Sequence, residues 1–255
     1  MKDALYYQLS EIQKTHWWHV SRRYMVTELL KRYFPKKCLL GLDVGCGPAG
    51  NLSVLKLFCE NVIGFDLSQT ALKIAKKEFP LENFILGDAN KLVDSFVSTK
   101  FGLATVFNVL YHNWINDEVA VLRQIYQLLE PGGRIVVTEP ACKFLMRRHD
   151  VLDMGKTRYS LNGLKHMLVK SGFVVEVATY FNFFSFLPVL LLKFIERFLP
   201  VGVDSDDERV KEIELPPKWI NDFMVSVLKT ETGLTKLFGG LPIGLGVMII
   251  ARKPQ

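Results

Sequence analysis

The sequence predicts an α/β protein with a doubly wound, mostly parallel sheet and helical cap elements. Its short apolar runs between residues 39 and 139 are nearly continuous rather than alternating, which is typical of strands covered on both faces. Amphipathic segments separate these runs, and alternating β and α elements build such a sheet through right-handed crossovers. A glycine-rich turn follows the first run, where a strand leads into a helix.

Each predicted strand of the first half ends close to a glycine, asparagine or acidic residue. These strands cover residues 39–44, 62–66, 84–88, 103–108 and 134–139. Glycine and β-branched residues at 241–252 predict a final strand at the end of the chain.

Apolar residues at helical spacing predict the intervening helices, which cover residues 69–78, 117–129, 161–170 and 220–228. Ser68 is the predicted N-cap of the first of these helices. The run Pro131-Gly132-Gly133 is predicted to stop the second helix and to turn the chain into the next strand.

The composition is that of an ordinary globular protein. The chain has 255 residues, 49% of them hydrophobic and 23% charged, with a net charge of +6. Cys38, Cys46, Cys59 and Cys142 lack CxxC spacing, so we expect reduced thiols and no zinc site. The first residues lack the pattern of a signal peptide, and we therefore expect a cytoplasmic protein.

Residues 181–199 form a long apolar segment with two open interpretations. Pro188 and the charged residues Lys193, Glu196 and Arg197 argue against a membrane-spanning helix. The segment is either a helical cap over the binding edge of the sheet or a helix in peripheral contact with a membrane surface. We favour the cap, because helices on membrane surfaces usually show a cleaner polar face.

The strongest local signal is a GxGxxG pattern formed by Gly45, Gly47 and Gly50. Glycines at such a turn let the backbone approach a ligand without a Cβ clash. Asp66 ends the next strand, 21 residues after Gly45, where a carboxylate can accept hydrogen bonds from the hydroxyls of a ribose. Asp88 ends the third strand and adds a second acceptor at the same edge.

Two cofactor classes fit a ribose-binding acid, a nicotinamide dinucleotide and S-adenosylmethionine (SAM). Asp43 lies two residues before the first glycine. An acid at that position disfavours a pyrophosphate and favours a ligand with a positive amine and sulfonium.

Several motifs together resemble those of the class I SAM-dependent methyltransferases over roughly residues 38–140. The matching motifs are LDVGCGPAGN, GFDLS, GDAN, FNVLYH and LEPGGRIVVTEP. The resemblance implies a seven-stranded Rossmann-like fold, SAM as methyl donor, S-adenosylhomocysteine (SAH) as product and no metal. Ala49 stands where many members have glycine, which should be tolerated because Gly50 follows.

The resemblance also implies which residues bind the cofactor. They are Asp43, Gly45, Cys46, Gly47, Asp66, Leu67, Asp88, Ala89 and Asn108.

Two flanking segments resemble a small-molecule subset of this family. His16-Trp17-Trp18-His19, followed by Arg22, is similar to an N-terminal helix that folds over the cofactor. A basic segment that ends in Arg158-Tyr159 is similar to a loop before the sixth strand. We therefore expect four residues to form a lid over substrate or cofactor: Trp18, Arg22, Arg158 and Tyr159.

These expectations divide the chain into four parts. They are an N-terminal helical cap (1–37), a SAM-binding core (38–180), a helical insertion (181–240) and a strand that completes the sheet (241–255).

The predicted function is methyl transfer from SAM to a small acceptor. The apolar segment favours a lipophilic acceptor. Whether the accepting atom is O, N or C is left open. His112 is the best candidate for a general base, ahead of Tyr111, Glu139, His16 and His19. A SAM-binding protein without turnover and a nicotinamide-dependent oxidoreductase remain alternatives. No pattern predicts a nucleic-acid partner, and the oligomeric state is open.

Overall fold

A computed structural model describes residues 3–146, 150, 154–198 and 215–255. Seven strands form one sheet: β1 Cys38–Val44, β2 Cys59–Asp66, β3 Asn83–Leu86, β4 Phe101–Phe107, β5 Leu129–Pro140, β6 Val174–Phe181 and β7 Gly246–Arg252. Their order is β3-β2-β1-β4-β5-β7-β6. The first five strands are parallel, and β7 runs antiparallel to both neighbours. The predicted doubly wound, mostly parallel seven-stranded sheet is confirmed.

Helices cover both faces of the sheet and one of its edges. They are α1 Asp3–Thr15, α2 Trp17–Leu30, α3 Leu52–Phe58, α4 Gln69–Glu78, α5 Glu118–Leu128, α6 Leu161–Lys170, α7 Phe186–Phe198 and α8 Lys218–Phe238. Two short 3-10 helices cover Ala89–Ser95 and Lys143–Leu145. Within the described residues, no helix is both long enough and apolar enough to cross a membrane.

The apolar strands are continuous because the sheet has a core on each face. Successive residues of β5 show this: Ile135 and Val137 lie in one buried cluster, and Val136 lies in the other. Side chains alternate between the faces of a strand, so a strand buried on both faces needs apolar residues at successive positions.

Side-chain caps fix the starts of the helices. Ser68 accepts a hydrogen bond from the backbone N of Ala71 and caps α4, as predicted. Asp117 accepts from the backbone N of Val119 and Ala120 and caps α5.

Three elements differ clearly in their bounds from the sequence-based predictions. Pro131-Gly132-Gly133 does not form the turn after α5, because β5 already begins at Leu129. Leu129 pairs with Phe101 and Arg134 pairs with Leu103, so the three residues lie in an irregularity within the strand. At the C-terminal end, α8 extends far beyond the predicted 220–228, and the last strand begins only at Gly246.

The N-terminal helices cover the carboxyl edge of the parallel strands. The side-chain amide of Gln13, in α1, donates to the carbonyl of Pro48 in the loop after β1 (3.3 Å). Lys14 forms an ion pair with Glu78 of α4 (3.6 Å). These contacts place α1 above the loop that follows β1 and against α4.

Candidate functional site

A cavity of about 830 Å³ lies at this carboxyl edge. Its walls come from the loops after β1 to β4 and from α1 and α2, which is where open α/β sheets bind ligands. Most of the site residues expected from the sequence line it. They are Trp18, Arg22, Gly45, Cys46, Gly47, Asp66, Leu67, Asp88, Ala89, Asn108, His112 and Arg158.

The three glycines of the loop after β1 serve different purposes. A Cβ on Gly47, at φ +53°, would meet no atom within 4 Å, so this residue leaves open space beside the cavity. A Cβ on Gly45 would lie 2.3 Å from Val109. A Cβ on Gly50 would lie 2.2 Å from the side chain of Gln13. The left-handed backbone favours glycine at both Gly45 and Gly47; Gly45 also packs against Val109, Gly50 makes room for Gln13, and only Gly47 faces open space that a ligand could fill.

Ala49 itself adopts the left-handed backbone conformation, with φ +64°. Ala49 is also fully buried. Ala49 was expected to be tolerated because Gly50 follows, but the left-handed conformation lies at Ala49 itself and not at Gly50. A non-glycine residue in this conformation costs roughly 1–2 kcal/mol.

Asp66 connects the end of β2 to the glycine loop. Its Oδ2 accepts from the backbone N of Gly47 (2.8 Å), and its Oδ1 accepts from the backbone N of Ser68 (2.8 Å). Burial raises the pKa of the carboxyl, and these backbone hydrogen bonds oppose that shift. Each carboxylate oxygen has a further lone pair, so Asp66 can accept hydroxyl donors from the cavity as well.

Asp88 organises the next loop. Its Oδ1 accepts from the backbone N of Asn90 (2.9 Å) and caps the 3-10 helix Ala89–Ser95. The Asn90 amide in turn donates to the carbonyl of Trp114 (2.8 Å). Asp88 therefore combines a capping role with a place on the cavity wall.

Asp43 does not line the cavity, contrary to its expected contact with the cofactor. It is 1% exposed, and its Oδ1 accepts from the hydroxyl of Thr105 (2.6 Å), its register partner on β4. Burial raises the pKa of Asp43 to about 7. The side chain points across the sheet to Thr105, so it acts on the cavity through its charge and not through contact.

Arg22 brings a buried cation from α2 to the cavity. Its guanidinium lies 5.3 Å from the ring centre of Phe107 and donates to Asn51 Oδ1 (3.3 Å). With the amide of Asn108 oriented to satisfy its neighbours, the amide oxygen accepts from Arg22 Nη1 (3.3 Å). Burial lowers the pKa of Arg22 to about 10, so the side chain stays charged at neutral pH.

Glu139 positions the loop after β4. This fully buried carboxylate accepts from the backbone N of Val109 (3.1 Å), Leu110 (2.9 Å) and Tyr111 (3.2 Å). Burial raises the pKa of Glu139 to about 8. Sequence reasoning considered Glu139 as a catalytic candidate, but it does not line the cavity and holds the loop that carries His112.

His112 lies on the cavity wall within an aromatic group. Its ring stacks on Trp114 at 3.9 Å and lies 4.1 Å from the ring of Tyr111. These neighbours restrict the plane of the imidazole, and His112 lines the cavity.

The two remaining lid residues differ from expectation. Tyr159 belongs to the core, and its hydroxyl lies 2.9 Å from the carbonyl of Leu110, so the lid assignment is wrong for this residue. Arg158 lines the cavity, but it forms a two-point ion pair with Asp150 (2.9 and 3.1 Å). Its charge is therefore largely compensated within the protein.

The histidines of the N-terminal segment are also at the cavity. His16 Nδ1 accepts from the backbone N of Trp18 (3.2 Å) and caps α2. Burial lowers the pKa of both His16 and His19. Within the described parts of the chain, no three His, Cys, Asp or Glu side chains are grouped so that they could hold a metal ion.

The apolar part of the cavity wall comes from α1, α7 and the turn before β7, through Leu5, Leu9, Ile12, Val189 and Leu245. Sequence reasoning considered only the segment 181–199, which contains Val189, and missed the residues of α1 and of the turn. Positions 5, 9 and 12 repeat at helical spacing, and this pattern could have identified the inner face of α1.

Residues 42–137 match the family described as "Methyltransferase domain". Trans-aconitate 2-methyltransferase of Methylobacterium radiotolerans is 29% identical over 119 residues, which are 44% of this chain and 42% of that protein. Demethylmenaquinone methyltransferase of Thermotoga maritima is 34% identical over 118 residues, which are 46% of this chain and 49% of that protein. The matched region thus spans less than half of the length of either curated relative.

A solved structure shares the fold over nearly its whole length. It is a SAM-dependent methyltransferase from Archaeoglobus fulgidus, with a TM-score of 0.55 and 20% identity, and the alignment covers 91% of this chain and 94% of the other. Residues 42–137 thus match a methyltransferase domain, and the chain as a whole has the Rossmann-like methyltransferase fold.

Proposed function

We propose that this protein transfers the methyl group of SAM to a small, lipophilic acceptor. The observation that carries the proposal is the arrangement at the carboxyl edge: the open Gly47 backbone, the carboxylate of Asp66 hydrogen-bonded to it, and a cavity of about 830 Å³ beside both.

The residues present fit an adenosyl ligand. Asp66 offers acceptor lone pairs to the two ribose hydroxyls. Gly47 leaves room for the ligand against the backbone. On the wall next to Asp66, apolar Leu67 and Ala89 are suited to the adenine ring, with Asp88 as acceptor for its amino group.

The methionine end of the ligand fits the opposite part of the cavity floor. Arg22 supplies a buried cation for the carboxylate, and Asn108 lies in hydrogen-bonding distance of Arg22. Asp43 and Glu139 lie behind this region, and a cationic ligand would favour the ionised forms of both carboxyls.

The chain contributes alignment and proton transfer. When bound, SAM supplies a methyl group activated by a sulfonium. The walls formed by α1 and α2 exclude water and hold the acceptor in line with that group, which provides much of the rate gain in a displacement. His112 is positioned to accept a proton from the acceptor, and Glu139 holds its loop.

The apolar wall supports a lipophilic acceptor. Leu9, Val189 and Leu245 contribute apolar side chains to the cavity lining, in contrast to the polar side at Asp66. The curated relatives bear the names of enzymes that methylate demethylmenaquinone and trans-aconitate, an apolar and a polar small molecule. The wall favours acceptors of the first kind.

The organisation of the chain and its partners follow from this function. The cap (1–37) and the insertion (181–240) shape the acceptor end, and the core (38–180) with the last strand (241–255) binds SAM. We expect a small-molecule partner, no nucleic acid, and peripheral contact of residues 181–199 with a membrane.

Calorimetry with SAM, SAH and NADH tests the cofactor assignment first. We expect binding of the two sulfur ligands and none of NADH. Binding of NADH alone would contradict the proposal and favour an oxidoreductase.

An acceptor screen tests the reaction. Incubation of the protein with labelled SAM and a series of acceptors of increasing chain length should transfer label preferentially to the apolar members. Preference for polar acceptors would contradict the lipophilic assignment, and SAH binding without transfer to any acceptor would favour a SAM-binding protein without turnover.

A further inference from the structure

One side of α7 is apolar and faces outward. Five apolar residues of the helix and two beside it are 44–62% exposed. We call these seven residues the α7 apolar face: Phe144, Phe184, Leu187, Leu191, Leu192, Phe194 and Ile195. At 3.6 residues per turn, the helical members spread over about 160° of the circumference. Exposed apolar areas of this kind mark an interaction surface.

Lys193, the lysine of α7, points away from this face. Lys193 Nζ donates to the carbonyls of Phe144 and Met146, the latter at 2.9 Å. Its ammonium group is therefore held against backbone carbonyls of the protein and not on the outward face. As a result, no charged side chain lies on the outward face between Phe184 and Ile195.

The α7 apolar face continues to the cavity. Val189 lines the cavity, and Leu192 lies about 60° further around the same helix. The cavity wall and the outward face therefore adjoin along this helix through two apolar side chains, Val189 and Leu192.

We infer that the α7 apolar face rests on the surface of a lipid bilayer and that the acceptor enters the cavity from that bilayer. The second part of this inference, entry of the acceptor from the bilayer, rests on the proposed function. Aliphatic and phenylalanine side chains without polar groups suit the boundary of acyl chains better than a protein partner, whose interface has hydrogen bonds and a polar rim. Exposed Lys143 next to Phe144 and the net charge of +6 complement anionic headgroups.

Vesicle flotation of the full chain tests the inference. The vesicles contain phosphatidylcholine with or without phosphatidylglycerol. The test protein is the double variant Leu187→Asp/Leu191→Asp. The matched control is Leu81→Asp/Val97→Asp, whose sites are 92% and 84% exposed and lie at the amino ends of β3 and β4, opposite the cavity.

We expect the wild type and the control to float with the vesicles, more strongly with phosphatidylglycerol. The α7 variant should bind vesicles at least about tenfold more weakly, because two apolar side chains that would enter the lipid are replaced by charges. Phe144→Ser, which lies outside the helix, should also weaken vesicle binding.

Failure of the wild type to float, or equal flotation of both double variants, would overturn the inference. So would a concentration-dependent dimer that only the α7 variant abolishes, because the face would then join two copies of the chain. SAH affinity, measured for each protein by calorimetry, is independent of vesicles. If the wild type binds SAH but does not float, only the membrane inference is overturned. If the wild type does not bind SAH at all, the proposed function is overturned.

Discussion

Single buried side chains determine the geometry of the cavity floor. Asp66 connects two loops through backbone hydrogen bonds, Glu139 holds a third loop, and Arg22 brings a cation between them. None of the three is free to move without loss of a hydrogen bond. Substitution of these residues should therefore change ligand affinity or pH dependence rather than only surface charge.

Asp66→Ala should weaken SAH binding by on the order of 1–3 kcal/mol, roughly 5- to 150-fold in Kd. The variant loses the acceptors for the ribose and the contact that fixes Gly47. Calorimetry measures the change, with exposed Asp94→Ala as the control. An unchanged Kd for Asp66→Ala would remove the ribose assignment.

His112→Ala should lower kcat by about a hundredfold if the acceptor loses a proton during transfer. SAH affinity should change little, because His112 is not among the residues proposed to contact the cofactor. Steady-state kinetics with the best acceptor of the screen measures both values. His166→Ala, on the exposed side of α6, is the control, and full turnover by His112→Ala would exclude the base assignment.

The stability of the ligand-free protein should fall as pH rises through the pKa of Glu139. Burial raises this pKa to about 8 in the folded state, above its ordinary value of 4.5. Between these values the folded protein keeps a proton that the unfolded chain has lost, so the unfolding free energy decreases with pH. Asp43, with a pKa of about 7, acts in the same direction.

Glu139→Gln isolates this contribution. We expect the variant to match the wild type near pH 5 and to be more stable by on the order of 1–3 kcal/mol above pH 8. Urea unfolding at several pH values provides the measurement. His19 has a lowered pKa with the opposite effect on stability, but it is present in both proteins and cancels. Parallel pH curves for the two proteins would contradict the assignment.

At the scale of elements, α8 holds the junction between the two N-terminal helices. Asn221 Oδ1 accepts from the backbone N of Trp17 (2.8 Å), and the Asn221 amide donates to the carbonyl of Thr15 (3.0 Å). The junction sets the angle of α1 over the cavity. The insertion therefore positions the helix that covers the site.

Asn221→Ala should loosen α1 and accelerate SAH release. Two partly exposed hydrogen bonds are lost, each worth about 0.5–1.5 kcal/mol, and we expect a roughly three- to tenfold faster dissociation. Stopped-flow release of SAH and hydrogen exchange of α1 amides measure the effect. Ser226→Ala, whose hydroxyl contacts only its own helix, is the control, and equal release rates in both variants would argue against this role.

For the molecule as a whole, the cavity exists only in the folded state. Its walls come from α1 near one end of the chain, the loops of the sheet, and Leu245 before the last strand. A ligand of this cavity therefore stabilises the complete fold and not a single segment.

SAH at 100 times its Kd should raise the unfolding free energy by about 2.7 kcal/mol. For a chain of this length, this corresponds to an increase in Tm of roughly 5–10 °C. Thermal unfolding with SAH, and with NADH as the comparison, checks the prediction. An equal increase with NADH would contradict the cofactor assignment.

Local patterns were sufficient for most of the fold. Continuous apolar runs identified the parallel strands because each strand is buried on two faces, and Ser68 marked the start of α4 because a cap acts within one turn. Most residues of the loops after β1 to β4 were found for a similar reason. Parallel strands bring their carboxyl ends to one edge, so sequence position alone predicts which loops meet.

The sequence by itself determined the strands, the main helices and the loops that surround the cavity, since these depend on burial and capping over a few residues. Only the tertiary structure decided that Asp43 turns to Thr105, 62 residues away, that Gly50 accommodates Gln13, and that Tyr159 enters the core. It also decided that Lys193 faces the protein and leaves α7 apolar outside. These outcomes depend on contacts between distant segments, which compete for each side chain only once the chain has packed.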